Sequence, residues 1–259
     1  MKRDIRTFAD IEALSEASAA EIAASARESV SARGRFTLAL AGGSTPKRTY
    51  ELLATRHRGD IDWARTIVVF GDERFVPPDD QRSNYRMARE ALLDRVPIPA
   101  TSIHRVPSEA PSVHEAADGY ERTLRNELRE SANDPTPDSS RTEAHTVDVA
   151  LLGVGPDGHT ASLFPDAPEL QERSRWVLPV AAPRHVQPSV ERVTTTLPFL
   201  NAARLAMFLV AGADKRVVIG EILSGAPAGR RYPAAMVAPS GRAIWMIDRS
   251  ALPDDRSNA

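Results

Sequence analysis

The chain contains no cysteine, and this absence excludes disulfide scaffolds, thiolate metal sites, cysteine nucleophiles and iron–sulfur clusters. Its net charge is also small: 33 basic and 35 acidic residues give −2, without the basic excess of a nucleic-acid-binding protein. Its apolar runs are far shorter than the roughly 20 residues that cross a bilayer. The acidic N-terminal stretch lacks the apolar core of a signal peptide. We therefore expect a cytoplasmic protein with neither nucleic acid nor membrane as a partner.

Lysine is scarce as well, because only 3 of the 33 basic residues are lysine and the others are arginine. The three positions are Lys2, Lys47 and Lys215. We interpret the imbalance as a coding bias, which makes each lysine that is kept worth examining. The remaining composition, with 42% hydrophobic and 26% charged residues, is that of an ordinary globular protein of 259 residues.

Apolar segments of strand type and helix type alternate along the chain. The pattern predicts strands over 36–41, 67–70, 147–153, 176–181, 205–211 and 243–248, and helices over 10–33, 84–96, 112–130 and 214–223. Such alternation favours an α/β fold with a mainly parallel sheet covered on both faces, and ligands then bind beyond the carboxyl ends of the strands. We expect one domain over 1–259, with a polar, proline-rich surface loop at 131–145.

The first unusual loop is Gly42-Gly43-Ser44-Thr45-Pro46, which follows a predicted strand and precedes a predicted helix. The glycines permit close approach to the backbone, the hydroxyl residues are placed to cap the helix, and the proline suits its first position. Free amides at such a helix start attract anions. The loop is not a phosphate-binding Walker A loop, since no Gly-Lys-Ser/Thr follows. It is either an anion site or simply a capped turn.

The second loop, Asp72-Glu73-Arg74, comes directly after the strand predicted over 67–70. Charged residues in a loop are usually only solvated, but a position at the carboxyl end of a buried strand favours a functional role. Ser83 follows as the predicted cap of the next helix.

The third loop contains three glycines, within 153–158, that match the dinucleotide motif G-x-G-x-x-G. We reject that function because Pro165 interrupts the required helix and no acidic residue ends the next predicted strand. The loop is better suited to hold His159 rigidly, with Asp157 close enough to orient it. The other five histidines are interpreted as surface residues: 57, 104, 114, 145 and 185. Spacings typical of a metal site or a serine nucleophile are missing from the sequence, so we expect no metal.

Several segments occur in an order that resembles the bacterial-type 6-phosphogluconolactonase family. They are GGSTP, GDERFVP with SNY, GVGPDGHTASLFP, ERVTTTLPFLNAAR, AGADK and PAAMVAPSGRAIWMID, and they extend from about 36 to 248. The resemblance implies a Rossmann-like α/β/α sandwich shared with glucosamine-6-phosphate deaminase and ribose-5-phosphate isomerase. It also implies hydrolysis of 6-phospho-D-glucono-1,5-lactone in the oxidative pentose phosphate pathway, without a cofactor, by a monomer or small homo-oligomer.

The resemblance further implies roles for individual residues. The phosphate of the substrate is expected at Gly42–Thr45, where Arg192 and Lys215 complete the anion site. Arg192 lies in the ERVTTT segment, whose three threonines themselves are more typical of a strand.

The expected catalytic residues are His159, Asp157 and Arg74. His159 acts as the general base that activates water, Asp157 orients it, and Arg74 stabilises the developing oxyanion. Asp72 is counted among the substrate-binding residues.

Two other functions remain open at this point. A deaminase or isomerase of amino-sugar phosphates would need an acidic base, for which Asp72 or Glu73 is available. The Ser-Leu-Phe-Pro segment at 162–165 favours the lactonase over that enzyme. A sugar-phosphate sensor would normally carry a DNA-reading helix pair or a basic arm, and residues 1–35 offer neither.

Overall fold

The structure, a computed structural model, describes residues 4–128 and 146–253, which contain nine strands and seven α-helices. The strands are β1 (Asp4–Phe8), β2 (Phe36–Leu40), β3 (Thr66–Phe70), β4 (Asp72–Arg74), β5 (Val149–Gly153), β6 (Val177–Val180), β7 (Arg192–Thr195), β8 (Leu205–Val210) and β9 (Arg242–Asp248). The helices are α1 (Ile11–Arg33), α2 (Ser44–Thr55), α3 (Asn84–Ala91), α4 (Val113–Glu127), α5 (Leu197–Asn201), α6 (Arg216–Ser224) and α7 (Pro233–Met236). The loop predicted over 131–145 lies outside the described residues.

Six parallel strands form the main sheet in the order β1-β9-β8-β5-β2-β3. Every residue of β2 and of β8 is buried, as expected where helices cover both faces of a sheet. The predicted α/β fold with a mainly parallel sheet is therefore confirmed. Trp245, interpreted from the sequence as a core residue, stacks on Phe208 with ring centroids 4.0 Å apart.

The order of the strands reverses direction between β2 and β5. From β2 the chain continues to β3 at one edge, whereas β5, β8 and β9 follow in turn on the other side of β2. A reversal of this kind opens a crevice beyond the carboxyl ends of the two strands, where α/β proteins bind ligands. The loops after β2 and β5 border this crevice.

Asp148 and Thr37 fix the register of these two strands. The amide and hydroxyl of Thr37 donate to Oδ2 of Asp148 at 2.8 and 2.9 Å, and the amide of Asp148 donates back to Oγ1 of Thr37 at 2.8 Å. Arg33, at the end of α1, pairs with the other carboxylate oxygen at 2.7 Å. Because Asp148 is buried, this network ties β2, β5 and α1 together at the end of the sheet opposite the crevice.

A second, antiparallel sheet with the order β4-β7-β6 stands beside the main one, and the sequence did not predict it. Residues 72–74, predicted as a loop, form its short strand β4 because they pair with β7. The helix predicted over 84–96 ends at Ala91 and continues as a 3₁₀ turn over Leu93–Arg95. Two residues of the threonine triplet do lie in a strand, β7, and Thr196 caps α5.

Edge strand β1 was not predicted either, although it pairs with β9 along its whole length. Among the residues that the structure describes, we find no helix with the length and apolar character needed to cross a membrane.

Candidate active site

A cleft of about 410 Å³ lies at the carboxyl ends of β2, β5 and β8. Nine of the ten predicted site residues line it: Gly42, Gly43, Ser44, Thr45, Asp72, Arg74, His159, Arg192 and Lys215. The tenth, Asp157, contacts His159. A larger groove of about 990 Å³ around Trp176 and Leu197 contains none of the ten, so size alone does not identify the site.

The start of α2 forms one wall of the cleft. The helix begins at Ser44, and its N-cap is Gly43 rather than a hydroxyl residue as the sequence suggested. The reason is the φ of +106° at Gly43, a left-handed conformation that lets the chain turn directly into the helix. Within the described residues no side chain caps the helix, so its first amides remain available to an anion in the cleft.

His159 forms the opposite wall, on the loop after β5. The amide of Gly155 donates to the carbonyl of His159 at 2.9 Å, and the amide of Gly158 donates to the carbonyl of Gly155 at 2.9 Å. These bonds close a tight turn that requires φ = +80° at Gly158. The backbone of His159 is therefore held in place by hydrogen bonds within the glycine-rich loop.

Asp157 holds the ring of His159, since its Oδ1 lies 2.5 Å from Nδ1. Burial by itself raises the pKa of a carboxyl group, but the hydrogen bond and charge of His159, with further help from His185, hold the pKa of Asp157 well below its usual range. An ionised carboxylate only accepts hydrogen bonds, so we infer that the shared hydrogen lies on Nδ1. Nε2 then keeps its lone pair and can accept a proton.

Arg74 and Arg192 lie directly opposite each other, because β4 and β7 pair in antiparallel register at these residues. Each carries an Nε for which no hydrogen-bond partner is found among the residues that the structure describes. Within 4–128 and 146–253, neither forms an ion pair with a carboxylate; they donate to the backbone carbonyls of Arg82 and Pro188 at 2.7 and 3.0 Å. Like charges opposed across a sheet repel each other, and an anion between them would relieve this repulsion.

Arg192 is the more buried of these two cations, with 2% of its surface exposed. Burial lowers the pKa of its guanidinium, the nearby charge of Asp72 raises it, and that of Arg74 lowers it further. A buried guanidinium with an unpaired nitrogen is costly to keep, which favours a binding role over a structural one.

Lys215 completes the positive lining, at the end of the short turn that follows β8. Its Nζ lies 2.6 Å from Oδ2 of Asp214, and only 17% of the side chain is exposed although the carboxylate partner is 59% exposed. Both side chains line the cleft, where the cation is the more buried of the two.

The two adjacent acids after β3 have separate environments. Asp72 lines the cleft, where Ser162 Oγ donates to its Oδ2 at 2.6 Å and Asn84 Nδ2 donates to its Oδ1 at 3.1 Å. Glu73 is absent from the lining of the cleft and instead accepts hydrogen bonds at the start of α3. Ser83 caps that helix by accepting from the amide of Arg86 at 3.1 Å, as the sequence predicts.

Burial raises the pKa of Glu73, while hydrogen bonds from the amides of Tyr85, Asn84 and Arg74 act in the opposite direction. The hydroxyl of Ser83 donates to it as well, at 3.0 Å. A carboxylate with this many internal donors is positioned to anchor a helix rather than to remove a proton from a ligand.

His185 is the residue that sequence reasoning missed. It was interpreted as a surface residue, and its side chain is indeed 58% exposed, yet its Nε2 lies 3.0 Å from Oδ2 of Asp157. It lies between β6 and β7, in a segment without periodicity, so the sequence offered no signal for this contact. In the described part of the chain, no cluster of three or more acidic or histidine side chains is arranged to hold a metal ion.

Comparisons with known proteins agree with the geometry. The family profile described as "Glucosamine-6-phosphate isomerases/6-phosphogluconolactonase" matches residues 9–245. A protein named 6-phosphogluconolactonase from Nostoc is 38% identical over 251 residues, covering 97% of this chain and 98% of its own. The crystal structure of 6-phosphogluconolactonase from Leishmania guyanensis covers 100% of both chains with a TM-score of 0.84 and 28% identity. A structure of a monomeric glucosamine-6-phosphate deaminase has a TM-score of 0.77, with 96% of this chain and 98% of that chain covered, but at 20% identity it shows the fold alone.

Proposed function

The chain belongs to the family of glucosamine-6-phosphate isomerases and 6-phosphogluconolactonases, and from this membership we propose that it hydrolyses 6-phospho-D-glucono-1,5-lactone to 6-phospho-D-gluconate. The observation that carries the proposal is the pairing of His159 with Asp157 in the same cleft as three cations. The pair supplies a base, and the cations suit a substrate that carries a phosphate and develops a second negative charge.

The phosphate binds at the start of α2. The first amides of this helix donate to its oxygens, and the helix dipole favours a negative charge there. Lys215 contributes a point charge and Arg192 a planar pair of donors, which together neutralise a dianion. Asp72 contributes indirectly, because its carboxylate holds Ser162 beside Arg192.

His159 activates the water. Its Nε2 accepts a proton as the water oxygen forms a bond to C1 of the lactone, and the carbonyl oxygen becomes an oxyanion. Arg74 stabilises this negative charge. When the tetrahedral intermediate collapses, the bond between C1 and the ring oxygen breaks, and His159 returns its proton to that oxygen. The products are a hydroxyl group and a carboxylic acid, which ionises to the carboxylate by releasing its proton to solvent. Asp157 stabilises the imidazolium formed in between.

The test of this mechanism is His159→Ala. We expect kcat to fall by about a hundredfold or more, the usual contribution of a general base, while affinity for a phosphate-bearing product is kept. Rates are measured above a no-enzyme control, because the lactone also hydrolyses spontaneously.

The matched control for this experiment is His57→Ala. His57 also pairs with an aspartate, Asp60, at 2.7 Å, but it does not line the cleft. Near-normal turnover by His159→Ala would mean that His159 is not the general base.

The same assays separate the remaining functions. Ammonia release from glucosamine 6-phosphate without turnover of the lactone would indicate a deaminase, and binding of sugar phosphates without turnover would indicate a sensor. Of the two acids considered as a base for the deaminase, Glu73 does not line the cleft and Asp72 does, so the assays decide between the two enzymes. The cytoplasmic location and the monomeric or small oligomeric state expected from the sequence stay predictions.

A further inference from the structure

The segment between β6 and β7 contributes to the lining of the cleft. Val186 and Gln187 line the cleft, and the carbonyl of Pro188 accepts from Nη2 of Arg192 at 3.0 Å. His185 precedes them and lies beside Asp157. One short stretch of chain therefore contacts both the positive lining and the carboxylate that holds His159.

Asp157 is shared between two imidazoles. Its Oδ1 lies 2.5 Å from Nδ1 of His159, and its Oδ2 lies 3.0 Å from Nε2 of His185. A carboxylate held through one oxygen can still rotate about its Cβ–Cγ bond, whereas one held through both oxygens cannot. The contact from His185 thus removes the rotation that would carry Oδ1 away from His159.

Phe164 packs between the same two rings. Its centroid lies 4.9 Å from that of His159 and 5.7 Å from that of His185, the second at an angle of 79°. The guanidinium of Arg192 lies over the same ring at 5.6 Å. Phe164 therefore contacts both of the imidazoles that Asp157 joins.

We propose that His185 is a positioning residue, which donates a hydrogen bond from Nε2 to Asp157 and thereby fixes the carboxylate that orients His159. The inference rests on the proposed function, since it assigns a role within that mechanism. His185 does not contact the reacting atoms, and none of the family motifs in the sequence contains it.

The first test is His185→Ala in the full-length protein, with initial rates of hydrolysis of the phosphorylated lactone. We expect kcat to fall about three- to tenfold, the rate equivalent of one ordinary hydrogen bond, with KM changed less than about twofold. The melting temperature should stay close to that of the wild type, because the side chain is 58% exposed.

Two further substitutions separate the hydrogen bond from ring packing. His185→Gln keeps an N–H donor at a similar distance from the backbone and should restore most of kcat. His185→Phe keeps a ring against Phe164 without a donor and should behave like His185→Ala. If the phenylalanine variant is active and the glutamine variant is not, packing explains the effect and the proposal is wrong.

The decisive measurement compares the effect of the His185 substitution on kcat in the presence and in the absence of Asp157. In an Asp157→Ala background the substitution of His185 should have no further effect on kcat, because its partner is already gone. An equal loss in both backgrounds would overturn the proposal. His57→Ala, which breaks a similar pair elsewhere, should leave kcat unchanged.

Failure of this inference can be distinguished from failure of the proposed function. If His159→Ala lowers kcat and His185→Ala does not, the positioning role is refuted and the proposed mechanism stands. If neither substitution lowers kcat, the mechanism itself is refuted.

Discussion

The substitution Gly155→Ala tests whether the catalytic loop holds His159 where the structure has it. A Cβ at position 155 would lie 2.0 Å from Nδ1 of His159, 2.2 Å from Cε1 of the same ring and 2.6 Å from Oδ1 of Asp157. The added methyl group therefore occupies the space in which the imidazole and the carboxylate meet. The ring cannot remain there.

The size of the effect follows from these distances. An ordinary contact begins at 3.4 Å, so the imidazole must retreat by about 1.4 Å and its bond to Asp157 must break or lengthen. A misplacement of about 1 Å in a reacting group costs about 10²-fold in rate. We therefore expect kcat to fall about a hundredfold, or about 2.7 kcal/mol of activation free energy.

The assay compares Gly155→Ala with Gly153→Ala, a matched control two residues earlier, at the end of β5. A Cβ at position 153 meets nothing within 4 Å, and its backbone is not left-handed, so this variant should keep near wild-type kcat. Initial rates of lactone hydrolysis are measured for both, with circular dichroism to show that each variant is folded.

Two results would refute this reasoning. Wild-type kcat in Gly155→Ala would mean that the imidazole does not need its place beside Asp157. An equal loss in the two variants would mean that alanine impairs the loop by stiffening it, not by colliding with His159.

The remaining predictions concern binding, stability and pH. Lys215→Ala should raise KM for the lactone at least tenfold, the loss of about one charged hydrogen bond, with little change in kcat in initial-rate assays. Glu73→Gln should lower the free energy of unfolding by about 1–3 kcal/mol in urea, because an amide nitrogen would face the amide of Tyr85 or other donors. Asp157, whose pKa is depressed in the folded state, stabilises the protein above about pH 4 and loses that contribution as pH falls. Asp157→Asn should therefore make the free energy of unfolding depend less steeply on pH below about 4.

The predictions for Lys215 and Glu73 each have a control on the surface of the protein. Lys47→Ala should leave KM unchanged, since its exposed Nζ lies 3.9 Å from Glu51 and outside the cleft. Glu90→Gln should change stability little, because it breaks a partly exposed pair with Arg86 on the same helix. An unchanged KM in Lys215→Ala would exclude this lysine from phosphate binding. If the free energy of unfolding of Asp157→Asn depends on pH as steeply as that of the wild type, the depressed pKa of Asp157 is contradicted.

Much of the fold could be predicted because short stretches of the sequence indicate its strands and helices. The central strands are short, apolar runs that are buried on both faces, and glycine or proline marks where several of them end. The strands that were missed have no such signal. β1 carries charged and exposed residues at an edge, and β4 is a charged tripeptide that becomes a strand only by pairing with β7.

The candidate site could be predicted for a related reason. Loops at the carboxyl ends of parallel strands meet at one edge of the sheet, so the unusual residues after β2, β3 and β5 were expected together. Lys215, after β8, was added by the family resemblance. The cap of α2 was assigned to a hydroxyl residue, whereas the structure places Gly43 there with φ = +106°, a conformation that glycine adopts readily.

The sequence by itself indicated a histidine in a glycine-rich loop beside an aspartate and established that there is no thiol. These features can be seen in single segments, whereas the cations for an anionic substrate were implied by the family resemblance. Only the tertiary structure decided that Arg74 opposes Arg192, that Glu73 turns away from the cleft, and that His185 contacts Asp157. Such contacts join segments that are distant along the chain, and they depend on strand order, register and packing, which no local pattern encodes.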